Sequence, residues 1–386
     1  MTVAPFPAVE YTNRIARIQR GMRTVGFDGL LLTEVANFEY VTGFEVRVLW
    51  SSYTRMLGVF VPASGSPILI VPDFVVEDAQ EACGCEVRTY TRIDKLPIAE
   101  LRALVADGAG TTARVGMELA GESRLGVPVD ILRQLGLVLP NVTFADASDL
   151  MLRVRMTKSH GEIERLRRAC RANTLAFASV FSGSLDGATE VEVARDLMAA
   201  ALAAGQGWDG WTLPGWIAIT SGPGSYHRFL GHPRPRRLEP GDMIWADLGV
   251  TADGYWSDFC RAAVLGGPTP RQRERQDRIL EATSAGVASA RPGRKASDVA
   301  DAVAAAVERL RLPSFGFGRV GHGIGLNATE PPHIAHYDET MLEAGMVVTV
   351  EPAAVYDDGL YCAEQVVVVG DPPEVLSAAP GGLAAV

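Results

Sequence analysis

From about Tyr11 to Gly26 the apolar residues recur at helical spacing. Three short apolar runs follow, Leu30-Leu31-Leu32, Leu57 to Val61 and Ile68 to Val71, and they read as buried strands. Helices near 97–107 and 127–135 come next, with strands near 113–118 and 141–145. Strands alternating with helices in this way predict a small α/β domain ending near residue 150. The mixed-charge stretch Arg153 to Lys158 then leads into Ser159-His160-Gly161-Glu162, where Ser159 and Glu162 have the spacing of a capping box and start a new helix. The domains are therefore placed at 1–152 and 153–386.

Beyond that boundary the order of elements repeats. Helices near 160–182 and 189–204 precede a strand region carrying Asp247 and Asp258; helices near 270–290 and 297–311 precede another carrying His322, Glu351 and Glu364. Thr189 with Glu192, and Thr269-Pro270 with Gln272, supply further helix starts. Two halves, each a helix pair followed by strands, predict a duplicated α+β domain with its ligands on the sheet face.

Composition narrows the function classes. The 386 residues are 47% hydrophobic and 21% charged, an ordinary globular balance, and the length suits two cores. A net charge of −10 argues against nucleic acid or an anionic membrane as partner, and the run Arg234, Arg236, Arg237 is too small to reverse that. No h-region opens the chain and no apolar stretch is long enough to span a bilayer, so the expected location is cytoplasmic. Five scattered cysteines agree with reduced thiols, and Cys83-Gly-Cys85 has no second Cys/His pair nearby to complete a tetrahedral site.

The chemistry lies in two hairpins. Asp253-Gly254 joins Trp245 to Val250 with Tyr255 to Arg261, and a turn centred between Ala252 and Asp253 sets Asp247 opposite Asp258, their Cβ atoms roughly 5 Å apart. Asp357-Asp358-Gly359 joins Val347 to Val355 with Leu360 to Val369 and sets Glu351 opposite Glu364. Four carboxylates on such apolar strands repel one another and resist burial unless cations lie between them. His322 in Gly321-His-Gly-Ile-Gly325 adds an imidazole where glycines let the backbone pack close. The set suits two divalent ions, Mn²⁺, Co²⁺, Fe²⁺ or Zn²⁺, of the kind that activate water toward a carbonyl.

These residues closely resemble the pita-bread metallopeptidase family, which includes Xaa-Pro aminopeptidases, prolidases, methionine aminopeptidases and creatinase. The matching signatures are Asp247-Leu-Gly, Gly254-Tyr-Trp-Ser-Asp258 with Arg261, the GHGIG run at 321–325, Glu330-Pro-Pro332, Gly345-Met-Val, Glu351-Pro352 and Glu364. Ala36 to Phe44 is similar to the first domain of creatinase and prolidase. The resemblance implies a creatinase-like N-terminal α/β domain and a pita-bread catalytic domain in a homodimer. It also implies that Asp247, Asp258 and Glu364 span both ions as chelating or bridging ligands, that His322 and Glu351 bind one of the two, and that Glu351 is the general base.

Departures bear on the substrate. Thr329 stands where a His is usual, Cys362 where Arg is common and Gln365 where Asp is common. His227 and His232 are both candidates for the upstream His that stabilises a tetrahedral intermediate. His333 is placed at the pocket edge, and Trp211 and Trp216, with Trp208, on its glycine-rich approach, where stacking or cation–π contact suits them. Metal-dependent hydrolysis of a small peptide such as an Xaa-Pro substrate is the leading expectation. Creatine- or ectoine-like C–N hydrolysis or a sulfonium lyase is the alternative, and a metal-free binding module the third.

Overall fold

The computed structural model describes residues 6–45, 55–205, 212–228, 230–313 and 318–386. Trp208 and Trp211 lie outside the described residues. The chain divides into two compact units, Met1–Arg155 and Met156–Val386.

In the first unit the elements run α1 (Ala8–Val25), β1 (Gly29–Leu32), α2 (Val35–Thr42), β2 (Gly58–Pro62), β3 (Ile68–Pro72), α3 (Val76–Ala82) and β4 (Glu86–Tyr90). They continue with α4 (Ile98–Ala109), β5 (Ala113–Met117), α5 (Asp130–Val138), β6 (Val142–Asp146) and α6 (Ser148–Met156). The strands form one mixed sheet in the order β4-β3-β2-β1-β5-β6. Its central strands β1 and β2 are buried throughout, which is why they read as continuous apolar runs. α4 packs on them with Leu101 and Leu104, and α5 joins the same core against α4 and β6 with Ile131 and Leu135.

The second unit has the expected repeat. The first half holds α7 (His160–Val180), α8 (Glu190–Ala204), β7 (Thr212–Ser221), β8 (Met243–Ala252), β9 (Tyr255–Trp256) and β10 (Phe259–Val264). The second holds α9 (Pro270–Ser289), α10 (Ala296–Arg309), β11 (His322–Gly323), β12 (Glu330–His333), β13 (Val347–Val350), β14 (Ala353–Tyr356), β15 (Gly359–Cys362) and β16 (Gln365–Val368), before two terminal strands, β17 (Glu374–Val375) and β18 (Ala384–Ala385). The helix pair α7 and α8 packs on β7 and β8, and α9, paired with α10, packs on β13 and β16. One sheet runs β18-β10-β8-β7 and the other β12-β11-β13-β16-β17.

Local chemistry fixes where these helices begin. Ser159, Thr189 and Thr269 each accept from the backbone N–H three residues on, while Glu162, Glu192 and Gln272 reach back to the cap N–H at 2.8 Å. Among the described residues no helix is long and apolar enough to cross a membrane.

Candidate metal centre

The first hairpin carries two of the acids. Its turn residues Asp253 and Gly254 both have positive φ, 48° and 84°, as a two-residue type I′ turn requires. Ala252 therefore faces Tyr255 and Asp247 faces Cys260. This corrects the expected Asp247–Asp258 pairing, which centred the turn one residue too early. The ladder is displaced by two residues, and side chains alternate with a period of two, so the face is unchanged. Asp258, opposite Gly249 between the Ser257–Val250 and Phe259–Leu248 pairs, stands diagonally from Asp247 on the same side. Trp216 pairs with Gly249, and a Cβ on that glycine would lie 2.5 Å from the indole Nε1, so the ring covers the strand next to Asp247.

In the second hairpin Tyr356 faces Gly359 across Asp357-Asp358, and Val350 faces Gln365 in the same register. Glu351 and Glu364 occupy the gap between these two ladders and stand opposite each other. Pro352, without an N–H, helps to interrupt the pairing there. Arg261, buried at the end of the first hairpin, ties the two together: Nη1 donates to the Glu364 carbonyl at 2.8 Å, and Nη2 to those of Ser377 and Ala379, both at 2.9 Å.

His322 comes from β11. A Cβ on Gly321 would sit 2.1 Å from the Thr349 carbonyl oxygen, and one on Gly323 2.3 Å from that of Pro331, so only glycine lets this strand lie so close to its neighbours. The His322 N–H donates to Thr349 Oγ1 at 3.1 Å, and His322 pairs with His333 across the ladder. Nδ1 lies 2.9 Å from the Gly323 carbonyl, which can only accept; the proton is therefore on Nδ1 and the Nε2 lone pair faces the acids. Nε2 is 3.5 Å from both Asp258 Oδ2 and Glu351 Oε1.

The side chains of Asp258, His322 and Glu364 converge, each offering a ligand atom within 4.8 Å of the others. Burial first, and then mutual repulsion, holds the carboxyls of Asp247, Asp258 and Glu364 well above the usual carboxylate range. Burial pushes Glu351 up to about 7, against the pull of the Arg319 charge. His322 is lowered to about 4 by burial and then by Arg319, which leaves its imidazole neutral near pH 7. Among the described residues Asp247 Oδ1 and Glu364 Oε1 are buried without a hydrogen-bond partner. Orphaned carboxylate oxygens beside a neutral imidazole nitrogen are the donor set a hard or borderline divalent ion takes, so the residues fit such a cofactor.

The other expected residues are placed less centrally. His227 and His232 are exposed, and among the described residues no hydrogen bond or ion pair joins either to the acids. Thr329 is exposed, His333 half-buried and Trp216 half-buried, while Cys362 is buried with its thiol against that of Cys260. Sequence reasoning missed Thr349, which orients the His322 strand, and Arg319, whose Nη1 lies 3.0 Å from His333 Nδ1. A lone cation three residues before His322 was the one available signal for Arg319.

The chain matches the model of metallopeptidase family M24 over residues 164–372, more than half its length, and that of the creatinase/prolidase N-terminal domain over residues 14–157. It is 27% identical over 348 residues to an Xaa-Pro dipeptidase of Pyrococcus horikoshii, covering 88% of this chain and 89% of the relative. It is 33% identical over 217 residues to an Xaa-Pro dipeptidase of Pyrococcus furiosus, covering 54% and 59%. Among solved structures, dipeptidase PepE of Mycobacterium ulcerans superposes with a TM-score of 0.84 at 26% identity, over 99% of this chain and 100% of the other. The chain belongs to metallopeptidase family M24, and its fold is the family's pita-bread catalytic domain behind a creatinase/prolidase N-terminal domain.

Proposed function

We propose that this metallohydrolase cleaves the amide bond of a small Xaa-Pro peptide at a centre of two divalent ions held by Asp247, Asp258, His322, Glu351 and Glu364. The observation that carries the proposal is the buried convergence of Asp258, His322 and Glu364. Four carboxylates with one neutral imidazole carry a charge that two divalent ions balance, and the oxygen-rich set suits Mn²⁺, Co²⁺, Fe²⁺ or Zn²⁺. The relatives named Xaa-Pro dipeptidase support the substrate class.

When bound, such ions supply Lewis acidity toward a carbonyl oxygen and toward water. Glu351 is the group for proton transfer. Burial places its carboxyl near neutrality, a neighbouring cation draws it lower, and its side chain, 20% exposed, keeps a path to solvent. It would take a proton from the attacking water and pass it to the leaving nitrogen. His227 or His232 would donate to the substrate carbonyl oxygen as charge develops there. Trp216 and His333 would edge the pocket, with Thr329 and Cys362 at its margins.

Metal analysis of the purified chain is expected to return about two divalent ions. Asp258→Ala or Glu364→Ala is expected to abolish proline-peptide cleavage while the circular dichroism spectrum stays unchanged. A chain that carries no metal and cleaves no proline peptide overturns the reading. The small-molecule and binding-module alternatives are not favoured, because the named relatives are dipeptidases and all five ligand positions are kept. The same reading keeps the chain cytoplasmic, with five free cysteines, and homodimeric, which light scattering on the purified protein tests.

A further inference from the structure

Cys83-Gly84-Cys85 joins α3 to β4, the edge strand of the first unit's sheet. Cys83 ends the helix with an extended backbone, φ −134° and ψ 140°, and is 8% exposed. Cys85 is half-buried and Gly84 exposed. A Cβ on Gly84 would meet nothing within 4 Å, so the approach to the two sulfurs is open on that side. The other thiol pair, Cys260 with Cys362, is enclosed, each residue at most 4% exposed.

The two thiols of the bend are matched to each other. The backbone N–H of Cys85 donates to Cys83 Sγ at 3.3 Å, and the Cys85 thiol lies against the same sulfur. These contacts, the thiol first, hold Cys83 below the ordinary thiol range against the effect of burial, and the shared contact pushes Cys85 up. A sulfur that receives donors beside a neighbour that keeps its proton has the makings of an attacking thiolate and a resolving thiol. Consecutive Cα atoms are ~3.8 Å apart, so residues two apart never separate beyond about 7.6 Å. The chain bends at Gly84 and Cys85, which shortens that span toward the ~4.4–6.8 Å a disulfide bridges. Among the described residues no third Cys, His, Asp or Glu joins these sulfurs in a metal-holding group.

Charge around the bend is one-sided. Glu77, Asp78, Glu81 and Glu86 are all exposed, and no Lys or Arg lies between Val76 and Glu86. Arg88, the next basic residue, is held by Glu86 and Asp107, both at 2.7 Å. Such surroundings repel an anionic reagent and draw a cationic one.

We propose that Cys83-Gly84-Cys85 is a thiol–disulfide exchange site that accepts small neutral or cationic disulfides. Cys83 Sγ attacks one sulfur of the disulfide, whose S–S bond breaks and releases the first thiol, leaving a mixed disulfide on Cys83. Cys85 then attacks Cys83 Sγ, the mixed bond breaks, the second thiol leaves and an 83–85 disulfide forms. The pair gives up two electrons, the small disulfide takes them, and the protons of both cysteines end on the released thiols. The site is independent of the peptidase reading above.

The experiment incubates the reduced full chain with cystamine, a dication, and separately with oxidised glutathione, an anion, each rate being scaled by that of the same disulfide with free cysteine. Wild type is expected to release two thiols per chain, with the new bond mapped to Cys83 and Cys85 by mass spectrometry. Cys85→Ser is expected to stop after one, with half of the reagent left on Cys83. Cys83→Ser and Cys83→Ala are expected to react about tenfold more slowly or less. Scaled rates with glutathione are expected to be about threefold to tenfold lower than with cystamine, the gap closing at high salt. Thiols at 83 and 85 that stay reduced in the folded chain but react once it is unfolded would overturn the proposal. So would a Cys83→Ser variant as fast as wild type, equal scaled rates for the two disulfides at low salt, oxidation mapped to Cys260 and Cys362 instead, or a metal ion that wild type holds and Cys83→Ser releases.

Discussion

Lys158 and Glu330 face each other at 2.8 Å with side chains only 1% and 4% exposed, close under the glycine run that carries His322. A Cβ on Gly325 would come 2.5 Å from Glu330 Oε1 and 3.2 Å from Lys158 Cε, so strand and ion pair pack as one piece. Removing the cation alone takes from the buried Glu330 carboxylate its ion-pair partner at 2.8 Å. Lys158→Met is therefore expected to lower stability by about 3–5 kcal/mol, read from urea denaturation. Gly321→Ala acts differently, because its new methyl meets the Thr349 carbonyl and must push β11 away. Mn²⁺ affinity in that variant is expected to fall by about tenfold or more at little change in secondary structure, as titration followed by circular dichroism would check. At this scale the acids and His322 were legible because charge on an apolar strand demands a reason. Arg319 was not, since a single arginine in a glycine-rich stretch has no pattern to set it apart.

Among the elements, the helices of the second unit were legible because three capping boxes mark their starts. α2 was not: Ala36 to Thr42 are all buried, so no polar stripe betrays a helical period. β7 was hidden for another reason. Pro214 and Gly215 read as breakers, whereas the structure absorbs them in a register shift between Pro214 and Trp216. The register of the second hairpin follows from its Asp357-Asp358 turn, and that of the first was missed by two residues because the turn was centred between Ala252 and Asp253, whereas Asp253 and Gly254 are themselves its two central residues. The two hairpins depend on Arg261 to hold their relative position. Arg261→Met leaves the carbonyls of Glu364, Ser377 and Ala379 without that donor, and is expected to destabilise the chain by about 3 kcal/mol or more. The same variant should also lose metal, so thermal melts and metal analysis should move together.

For the molecule as a whole, the buried acids set an unusual pH response. In the second unit Glu351 is raised to about 7, and in the first Glu118, bonded by Thr33, Glu34 and Asn37, is raised by burial to about 7. Asp247, Asp258 and Glu364 shift the same way. For a carboxyl whose folded pKa is raised, the folded state holds the proton longer than the unfolded chain. Stability is then greatest below about 4.5 and is lost as pH climbs through about 7. The melting temperature of the chelator-treated protein is therefore expected to fall between pH 5 and pH 8. Added Mn²⁺ is expected to raise it more at pH 8, where fewer protons compete for the ligands; a metal-free protein whose melting temperature climbs over that interval would contradict this. The arm from the Asp253-Gly254 turn to Asp258 also restricts how the chain can change. One residue added within Tyr255 to Ser257 would keep every acid in the sequence and swing Asp258 to the far side of the ribbon, whereas two would bring it back. Viable length changes in that arm come in even steps, and a relative with an odd one could carry the whole signature without a centre.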